Sequence, residues 1–203
     1  MASKIIGIAG GTASGKSTAA ERLFSLLPAG QAVVIVMDRY YLNQDHLTPE
    51  RRSKVNYDHP SSFDLASLLT NVVELRSGKP AQLPIYDFCT HTRKSNKDLA
   101  SPASTIIIEG ILSFHMKEMR DLYDLKIFID APSDLRLKRR MERDIRERGR
   151  TQESVLRQWN DTVSPMHEEF CEPTKKYADI VLDGRSFADP ELTNILNRLG
   201  IQP

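Results

Sequence analysis

The 203-residue sequence has few cysteines, almost no excess charge and no long apolar run. Its two cysteines, Cys89 and Cys171, lie far apart and form no CxxC motif, so we expect two free thiols in a reducing cytoplasm. Lys and Arg number 28 against 27 Asp and Glu, and this balance argues against a general nucleic-acid coat. No apolar run approaches the ~18 residues of a membrane span. We therefore expect a cytoplasmic protein with no nucleic-acid or membrane partner.

The sequence does have enough apolar residues, 40% of the chain, to build a core. Short runs that are apolar throughout, as in strands buried on both faces, alternate with helical patterns. This order predicts an α/β fold, a single three-layer domain over residues 1–203 with a parallel sheet and helices on both faces. The predicted strands are 4–9, 33–37, 105–108, 125–129 and 178–182. The predicted helices follow the first strand to about residue 27 and then cover about 64–77, 134–147, 152–162 and 190–199.

Two stretches depart from this alternation. Residues 39–62 are polar and long for a plain connection, which favours a functional loop. Residues 82–104 contain an apolar and aromatic run followed by polar residues. They predict a β-hairpin insert that lies over the sheet edge.

A glycine-rich segment after the first strand matches the phosphate-binding pattern G-x-x-x-x-G-K-[ST]. Its residues, with the threonine that follows, are Gly10, Gly11, Thr12, Ala13, Ser14, Gly15, Lys16, Ser17 and Thr18. Glycines let the backbone N–H groups turn toward an anion, and the next helix directs its positive end at the phosphate. We expect Lys16 to reach the β- and γ-phosphates and Ser17 to ligate Mg²⁺. The segment predicts a fold of the P-loop NTPase type, the alternative being a chance glycine-rich turn.

Two acidic residues end apolar strands on the side of the sheet that carries this loop. Glu109 follows residues 105–108, and the carboxyl ends of parallel strands carry ligands, so we predict that Glu109 completes the Mg²⁺ site. Asp38 follows residues 33–37 and is predicted to accept the proton of an acceptor hydroxyl. The alternatives are a structural ion pair for Glu109 and a capping role for Asp38.

A strongly basic segment over about 134–162 predicts lid helices. Its cationic residues are Arg136, Lys138, Arg139, Arg140, Arg143, Arg146, Arg148 and Arg150. With Gly149 as a hinge, such a segment can close over a triphosphate and place guanidiniums on the transferring oxygens. Glu142, Asp144 and Glu147 favour a solvated face for part of it, and a nucleic-acid patch is a further alternative.

The phosphate-binding loop, the two acidic residues and the basic segment together favour a small-molecule kinase over other P-loop proteins. A GTPase switch needs N-K-x-D and D-x-x-G motifs, and the sequence has neither at the required places. An ATP-driven motor would need a larger chain. A kinase needs an acceptor pocket, a base and a cationic lid, and each has a candidate here.

The sequence resembles the phosphoribulokinase/uridine kinase family, and within it the uridine–cytidine kinases. Besides the phosphate-binding loop, the resemblance rests on Asp38-Arg39-Tyr40-Tyr41, Asn56-Tyr57-Asp58-His59-Pro60, Leu83-Pro84-Ile85-Tyr86-Asp87-Phe88 with His91-Thr92-Arg93, Glu109-Gly110-Ile111-Leu112, the run Arg143 to Arg150, and Pro173-Thr174-Lys175-Lys176-Tyr177-Ala178-Asp179. These motifs keep the family order from about residue 4 to about residue 182.

The resemblance implies transfer of phosphate from ATP, or GTP, with Mg²⁺ to the 5′-hydroxyl of uridine and cytidine, and a homotetramer. It implies that Asp38 is the base and that Arg143 and Arg148 clamp phosphate. The nucleoside contacts that it implies are Asp58, Arg140 and Gln158 for the ribose, Tyr86, Phe88 and His91 for the pyrimidine, and Tyr41 and Arg150 beside them. A carboxylate that reads both ribose hydroxyls predicts discrimination against 2′-deoxyribose.

The sequence departs from the family pattern at two places. Ser164 precedes Pro165 where the family often has a basic residue, and Asp183-Gly184-Arg185-Ser186 replaces the usual Pro-Arg-Gly-x-x-Asn near the adenine side. The choice between ATP and GTP therefore stays open. The alternatives are a kinase resembling phosphoribulokinase or pantothenate kinase, and a non-catalytic nucleotide-binding regulator.

Overall fold

Strands and helices alternate along residues 3–201, which the computed structural model describes. The strands are β1 (Lys4–Ala9), β2 (Ala32–Val36), β3 (Ala81–Asp87), β4 (Thr92–Ala100), β5 (Thr105–Glu109), β6 (Leu125–Asp130) and β7 (Ile180–Asp183). The helices are α1 (Lys16–Leu26), α2 (Pro49–Arg52), α3 (Leu65–Arg76), α4 (Lys117–Leu122), α5 (Ser133–Arg148), α6 (Gln152–Gln158), α7 (Ser164–Met166) and α8 (Asp189–Arg198).

Five of the strands form a parallel sheet in the order β2-β5-β1-β6-β7. Successive side chains of β1 enter different cores: Ile5 packs with α3 and the β3–β4 pair, whereas Ile6 and Ile8 pack with α1 and α8. Both faces of the sheet are therefore covered, which explains why its strands are apolar throughout. The prediction of an α/β fold with a parallel sheet between helices is confirmed.

The predicted hairpin is present as the antiparallel pair β3–β4. It packs on α3 and on the 3₁₀ turn Met37–Tyr40, which follows the edge strand β2. Arg93 of β4 anchors it by donating to the backbone oxygens of Tyr40 and Tyr41 and by pairing with Asp64 at 3.0 Å. The hairpin thus lies next to the turn that carries Asp38.

The predicted end of the second strand was wrong. Strand β2 stops at Val36, and Asp38 lies in the 3₁₀ turn Met37–Tyr40 and not at the strand end. The predicted loop over 39–62 contains the short helix α2 and closes on itself, because the Leu42 amide donates to the Ser62 carbonyl at 2.8 Å.

The second lid helix was also predicted too short. Helical turns continue past residue 162 through π-helical residues 159–163 and 167–171 to a 3₁₀ turn that ends at Tyr177. Pro165, which lies just beyond the expected end, is accommodated in α7 directly after the first π-helical turn. The wider π-helical hydrogen-bond pattern rearranges the backbone pairing around a residue that has no N–H to donate.

Both cysteines are free thiols, Cys89 exposed in the hairpin loop and Cys171 buried. Within residues 3–201, no helix is long and apolar enough to cross a membrane.

Candidate active site

The phosphate-binding loop connects β1 to α1 and has the backbone geometry that its glycines predict. Gly10 and Gly15 have φ angles of 141° and 109°, and a Cβ atom on Gly10 would lie 2.4 Å from the Ile129 carbonyl oxygen. The buried Lys16 ammonium donates to the Gly11 carbonyl at 2.9 Å. The loop therefore has a shape that larger residues at these positions would disrupt.

An open cleft of about 560 Å³ lies in front of this loop. Its lining residues are Thr12, Ala13, Gly15, Lys16, Ser17, Thr18, Arg22, Asp38, Glu109, Ile111, Arg139, Arg143, Gly184, Arg185, Ser186 and Phe187. Of the predicted loop residues, Gly10, Gly11 and Ser14 do not line the cleft, and Ser14 is fully buried. We call this space the nucleotide cleft. We did not predict from the sequence that Arg22 and residues 184–187 line this cleft. Residues 183–186 were noted only as a departure from the family pattern near the adenine side.

Ser17 and Glu109 meet at the floor of the nucleotide cleft, where the Ser17 hydroxyl donates to Glu109 Oε1 at 2.9 Å. Burial raises the pKa of Glu109, while the Lys16 ammonium opposes that rise. No cluster of three or more metal-ligating side chains occurs among residues 3–201. This donor set fits Mg²⁺, which prefers oxygen ligands and is usually held by one or two carboxylates together with phosphates.

A second, smaller cavity of about 50 Å³ lies beside the cleft. It is lined by Thr12, Asp38, Tyr41, Tyr57, Asp58, Tyr86, Phe88, His91, Ile111, Arg140, Arg143, Arg148, Arg150 and Gln158. We call it the acceptor cavity. It brings together all eight residues that the sequence predicts for nucleoside binding. Tyr57 and Ile111 were missed, although both lie within motifs that carry the family resemblance.

Aromatic rings form one wall of the acceptor cavity. The rings of Tyr86 and Phe88 meet edge to face at 5.3 Å, and the His91 ring stacks on Tyr57 at 4.6 Å with 13° between their planes. Burial lowers the pKa of His91, and the nearby cations Arg150 and Arg148 lower it further. The imidazole is therefore neutral near pH 7 and offers one donor and one acceptor nitrogen.

Polar groups form the opposite wall. Asp58 is 7% exposed, and burial raises its pKa even though the Arg140 guanidinium opposes the rise. Arg140 donates to the Thr12 hydroxyl at 2.9 Å and to Gln158 Oε1 at 2.8 Å. A second guanidinium, that of Arg150, also donates to Gln158 Oε1. This wall can both accept and donate hydrogen bonds to a polyhydroxyl ligand.

Asp144 lies behind this wall, and its position contradicts the expectation of a solvated face. It is fully buried, and burial alone would raise its pKa, but the guanidiniums of Arg143, Arg140 and Arg148 outweigh that effect and lower it. Glu147 on the same helix is exposed and pairs with Arg146, as expected of a solvated face. Helical spacing alone could not show which of these two acidic side chains is buried, because the burial of Asp144 depends on tertiary contacts that the spacing does not reveal.

Asp38 joins the two spaces, since it lines both the nucleotide cleft and the acceptor cavity. Its Oδ1 atom is buried and has no hydrogen-bond partner among residues 3–201. A buried carboxylate oxygen without a partner is costly, and it is expected where a ligand supplies the missing donor. The arrangement therefore places a proton acceptor between a phosphate-binding loop and a polar acceptor site.

The fold and this site define a P-loop kinase. The chain matches the model of the phosphoribulokinase/uridine kinase family over residues 5–189. It is 49% identical over 178 residues to a uridine kinase of Macrococcus caseolyticus, covering 88% of this chain and 86% of that protein. It is 46% identical over 181 residues to a uridine kinase of Staphylococcus carnosus, covering 89% and 87%.

Among solved structures, D-glycerate 3-kinase from Cryptococcus neoformans has a similar fold, with a TM-score of 0.58 at 15% identity over 85% of this chain and 80% of that one. The chain belongs to the phosphoribulokinase/uridine kinase family.

Proposed function

We propose that this chain phosphorylates the 5′-hydroxyl of uridine and cytidine, using a nucleoside triphosphate as donor, and so serves pyrimidine salvage. The observation that carries the proposal is the position of Asp38 where the nucleotide cleft meets the acceptor cavity. Its buried Oδ1 atom has no hydrogen-bond partner in the part of the chain that the structure describes. The related uridine kinases at 49% and 46% identity support the acceptor class.

In the proposed mechanism, the loop amides and Lys16 hold the β- and γ-phosphates of the donor. Asp38 accepts the proton of the 5′-hydroxyl as that oxygen attacks the γ-phosphorus, while the bond from the γ-phosphorus to the β–γ bridging oxygen breaks and the nucleoside diphosphate leaves. Arg143 and Arg148 stabilise the charge on the transferring oxygens in a site from which water is excluded. Arg143 lines both spaces, which suits it to that role.

Ser17 and Glu109 are the residues that would hold Mg²⁺, with their oxygen atoms already adjacent on the cleft floor. When bound, the ion would supply charge neutralisation on the donor phosphates.

The acceptor cavity suits a pyrimidine ribonucleoside. Asp58 can accept hydrogen bonds from the ribose hydroxyls, while Arg140 and Gln158 complete the polar wall. The base would lie against Tyr86 and Phe88, and the neutral His91 can either donate to or accept from a base edge. That dual capacity accounts for one pocket taking both uracil and cytosine.

The acceptor cavity, at about 50 Å³, is much narrower than the nucleotide cleft, at about 560 Å³. The Arg148 guanidinium lies over the Phe88 ring at 4.9 Å and connects the lid to the hairpin across the cavity. We propose that this contact opens when the nucleoside enters and re-forms around it.

For the donor we propose ATP, with GTP as a weaker substitute. By family resemblance, residues 183–186 lie near the adenine side of the cleft. Among the described lining residues, the only carboxylates are Asp38 and Glu109, so no carboxylate there is available to the N1–H and amino donors of guanine. By family resemblance alone, we also propose a single-domain protomer in a cytoplasmic homotetramer, which light scattering after gel filtration would test.

The proposed function is tested by ADP release with Mg·ATP over a panel of acceptors. The panel is uridine, cytidine, 2′-deoxycytidine, adenosine, ribulose 5-phosphate and pantothenate. Turnover on uridine and cytidine supports the proposal. Turnover only on ribulose 5-phosphate or pantothenate would discard the pyrimidine pocket, and triphosphate binding without any turnover would favour a regulator.

A further inference from the structure

The buried carboxylate of Asp144 is surrounded by four arginines. Oδ1 accepts a hydrogen bond from Arg143 Nε at 2.9 Å, and it lies 2.8 Å from Arg143 Nη2 and 3.5 Å from Arg148 Nη1. Oδ2 lies 3.5 Å from Arg140 Nε and 3.8 Å from Arg150 Nη1. A single negative charge is therefore shared by four guanidiniums.

The backbone of Asp144 also shapes this cluster. Gly149 ends α5 with a φ of 62°, and the amides of both Gly149 and Arg150 reach the Asp144 carbonyl oxygen. The chain reverses at this point, and the reversal brings Arg150, which lies beyond the helix, back to the carboxylate. Gly149 supplies the left-handed conformation that the reversal requires.

The other sides of these arginines face the two ligand spaces. Arg140, Arg143, Arg148 and Arg150 all line the acceptor cavity, and Arg143 also lines the nucleotide cleft. Asp144 itself lines neither space. It therefore contacts the groups that face the ligands without facing the ligands itself.

We propose that Asp144 is a positioning residue for phosphoryl transfer, which holds in one array the two arginines that would clamp phosphate, Arg143 and Arg148, and the two on the nucleoside side, Arg140 and Arg150. The role rests on the proposed function, because the transferring phosphate and the nucleoside are what the array would contact. Guanidiniums at this separation repel one another, and a central anion offsets that repulsion while leaving net positive charge for the donor. The array is thus arranged before the ligands arrive, which avoids reorganisation during the reaction.

The test compares Asp144→Asn with Glu147→Gln, a matched removal of one acidic charge from the exposed part of the same helix. For Asp144→Asn we expect kcat on uridine to fall about 100-fold, the size of loss that ~1 Å misplacement of catalytic groups produces. We expect the Kd for Mg·ATP, measured by calorimetry without nucleoside, to stay unchanged or to decrease. The reason is that this substitution leaves the phosphate-binding loop unchanged and removes a negative charge near the phosphates. Glu147→Gln should match the wild type in both values.

A second variant distinguishes the effect of the carboxylate charge at position 144 from the effect of its side-chain length. Asp144→Glu keeps the anion on a longer arm, so its kcat should lie between those of the wild type and Asp144→Asn. Parallel losses of kcat and triphosphate affinity in Asp144→Asn would overturn the proposal, because a collapsed lid would produce both. A kcat within threefold of the wild type would overturn it as well.

Limited proteolysis does not depend on uridine, so it tests the positioning role of Asp144 separately from the proposed function. Trypsin cleaves after arginine, and arginines held by Asp144 should resist it in the folded protein. Mass spectrometry should show faster cleavage after Arg143, Arg148 and Arg150 in Asp144→Asn but not in Glu147→Gln. Absence of wild-type turnover on uridine would defeat the proposed function, and equal cleavage of both variants would defeat the role of Asp144.

Discussion

The nucleotide cleft and the acceptor cavity lie side by side but are built in different ways. Six of the sixteen residues that line the cleft come from one continuous segment, residues 12–18, whose conformation follows from its own glycines and the helix that it precedes. The acceptor cavity is assembled from the 3₁₀ turn after β2, the loop before α3, the hairpin, α5 and α6. A phosphate site can therefore be encoded locally, whereas a site that selects an acceptor requires the tertiary fold.

The two spaces also differ in their chemistry. The cleft offers backbone amides, Lys16 and arginines, which bind phosphate whatever alcohol is to be phosphorylated. The acceptor cavity combines aromatic rings with Asp58 and an arginine–glutamine wall, a mixture that suits a flat base attached to a ribose. Specificity for the acceptor is thus concentrated in the cavity, and changes there should alter substrate choice without loss of donor binding.

The largest effect is expected where the two spaces meet. Asp38→Asn should lower kcat by about 10²- to 10⁴-fold, because the amide cannot accept the hydroxyl proton. Mg·ATP affinity should stay within a few-fold, as measured by calorimetry. Asp45→Asn, on an exposed loop, is the matched control. Turnover retained within tenfold would show that another group takes the proton.

A substitution in the polar wall of the acceptor cavity should affect the nucleoside and not the binding of the donor in the nucleotide cleft. Asp58→Asn should lower kcat/KM for uridine by about 10- to 100-fold, the cost of ~1–3 kcal/mol for weakened hydrogen bonds to a ribose. The loss for 2′-deoxyuridine should be smaller, because one of the affected hydroxyls is absent. Steady-state kinetics with both nucleosides give the two ratios. Equal losses for both would place the 2′-hydroxyl elsewhere.

His167, a partly exposed histidine beside the phosphate-binding loop, should make the free energy of unfolding depend on pH. Burial, with Arg136 and Lys16 nearby, lowers the pKa of His167 from 6.5 to about 4. Between these values the unfolded state binds more protons than the native state, so stability falls as pH is lowered through this window. The contribution lost by pH 5 is about 2 kcal/mol.

Urea unfolding at pH 7.5 and pH 5.0 measures this difference. His167→Gln should have a flatter pH dependence than the wild type, whereas His46→Gln, at an exposed position, should not. An unchanged pH dependence in His167→Gln would contradict the assignment of a neutral imidazole.

The smallest effect is expected at the aromatic wall. Phe88→Leu keeps apolar bulk but removes the ring face and its contact with Arg148, so KM for uridine should rise about 3- to 10-fold with little change in kcat. Phe24→Leu, on the exposed side of α1, is the control. A larger fall in kcat than in affinity would assign Phe88 to closure of the lid and not to the base.

Sequence patterns predicted the fold well where the signal was local. The five core strands, the hairpin and the loop between β1 and α1 follow from apolar runs, glycines and short motifs. The extension of the helical segment to Tyr177 was missed, because Pro165 reads as a stop unless the π-helical turn before it is known. The burial of Asp144 was missed because its neutralising arginines include residues on both sides of the α5 terminus.

The placement of the 5′-hydroxyl beside Asp38 is tested by ³¹P NMR of the product that the wild-type chain forms from uridine and Mg·ATP. We expect a single new monoester resonance, that of the 5′-monophosphate, and no product from 5′-deoxyuridine. Phosphate on the 2′- or 3′-oxygen, or transfer to 5′-deoxyuridine, would contradict the placement of the 5′-hydroxyl beside Asp38.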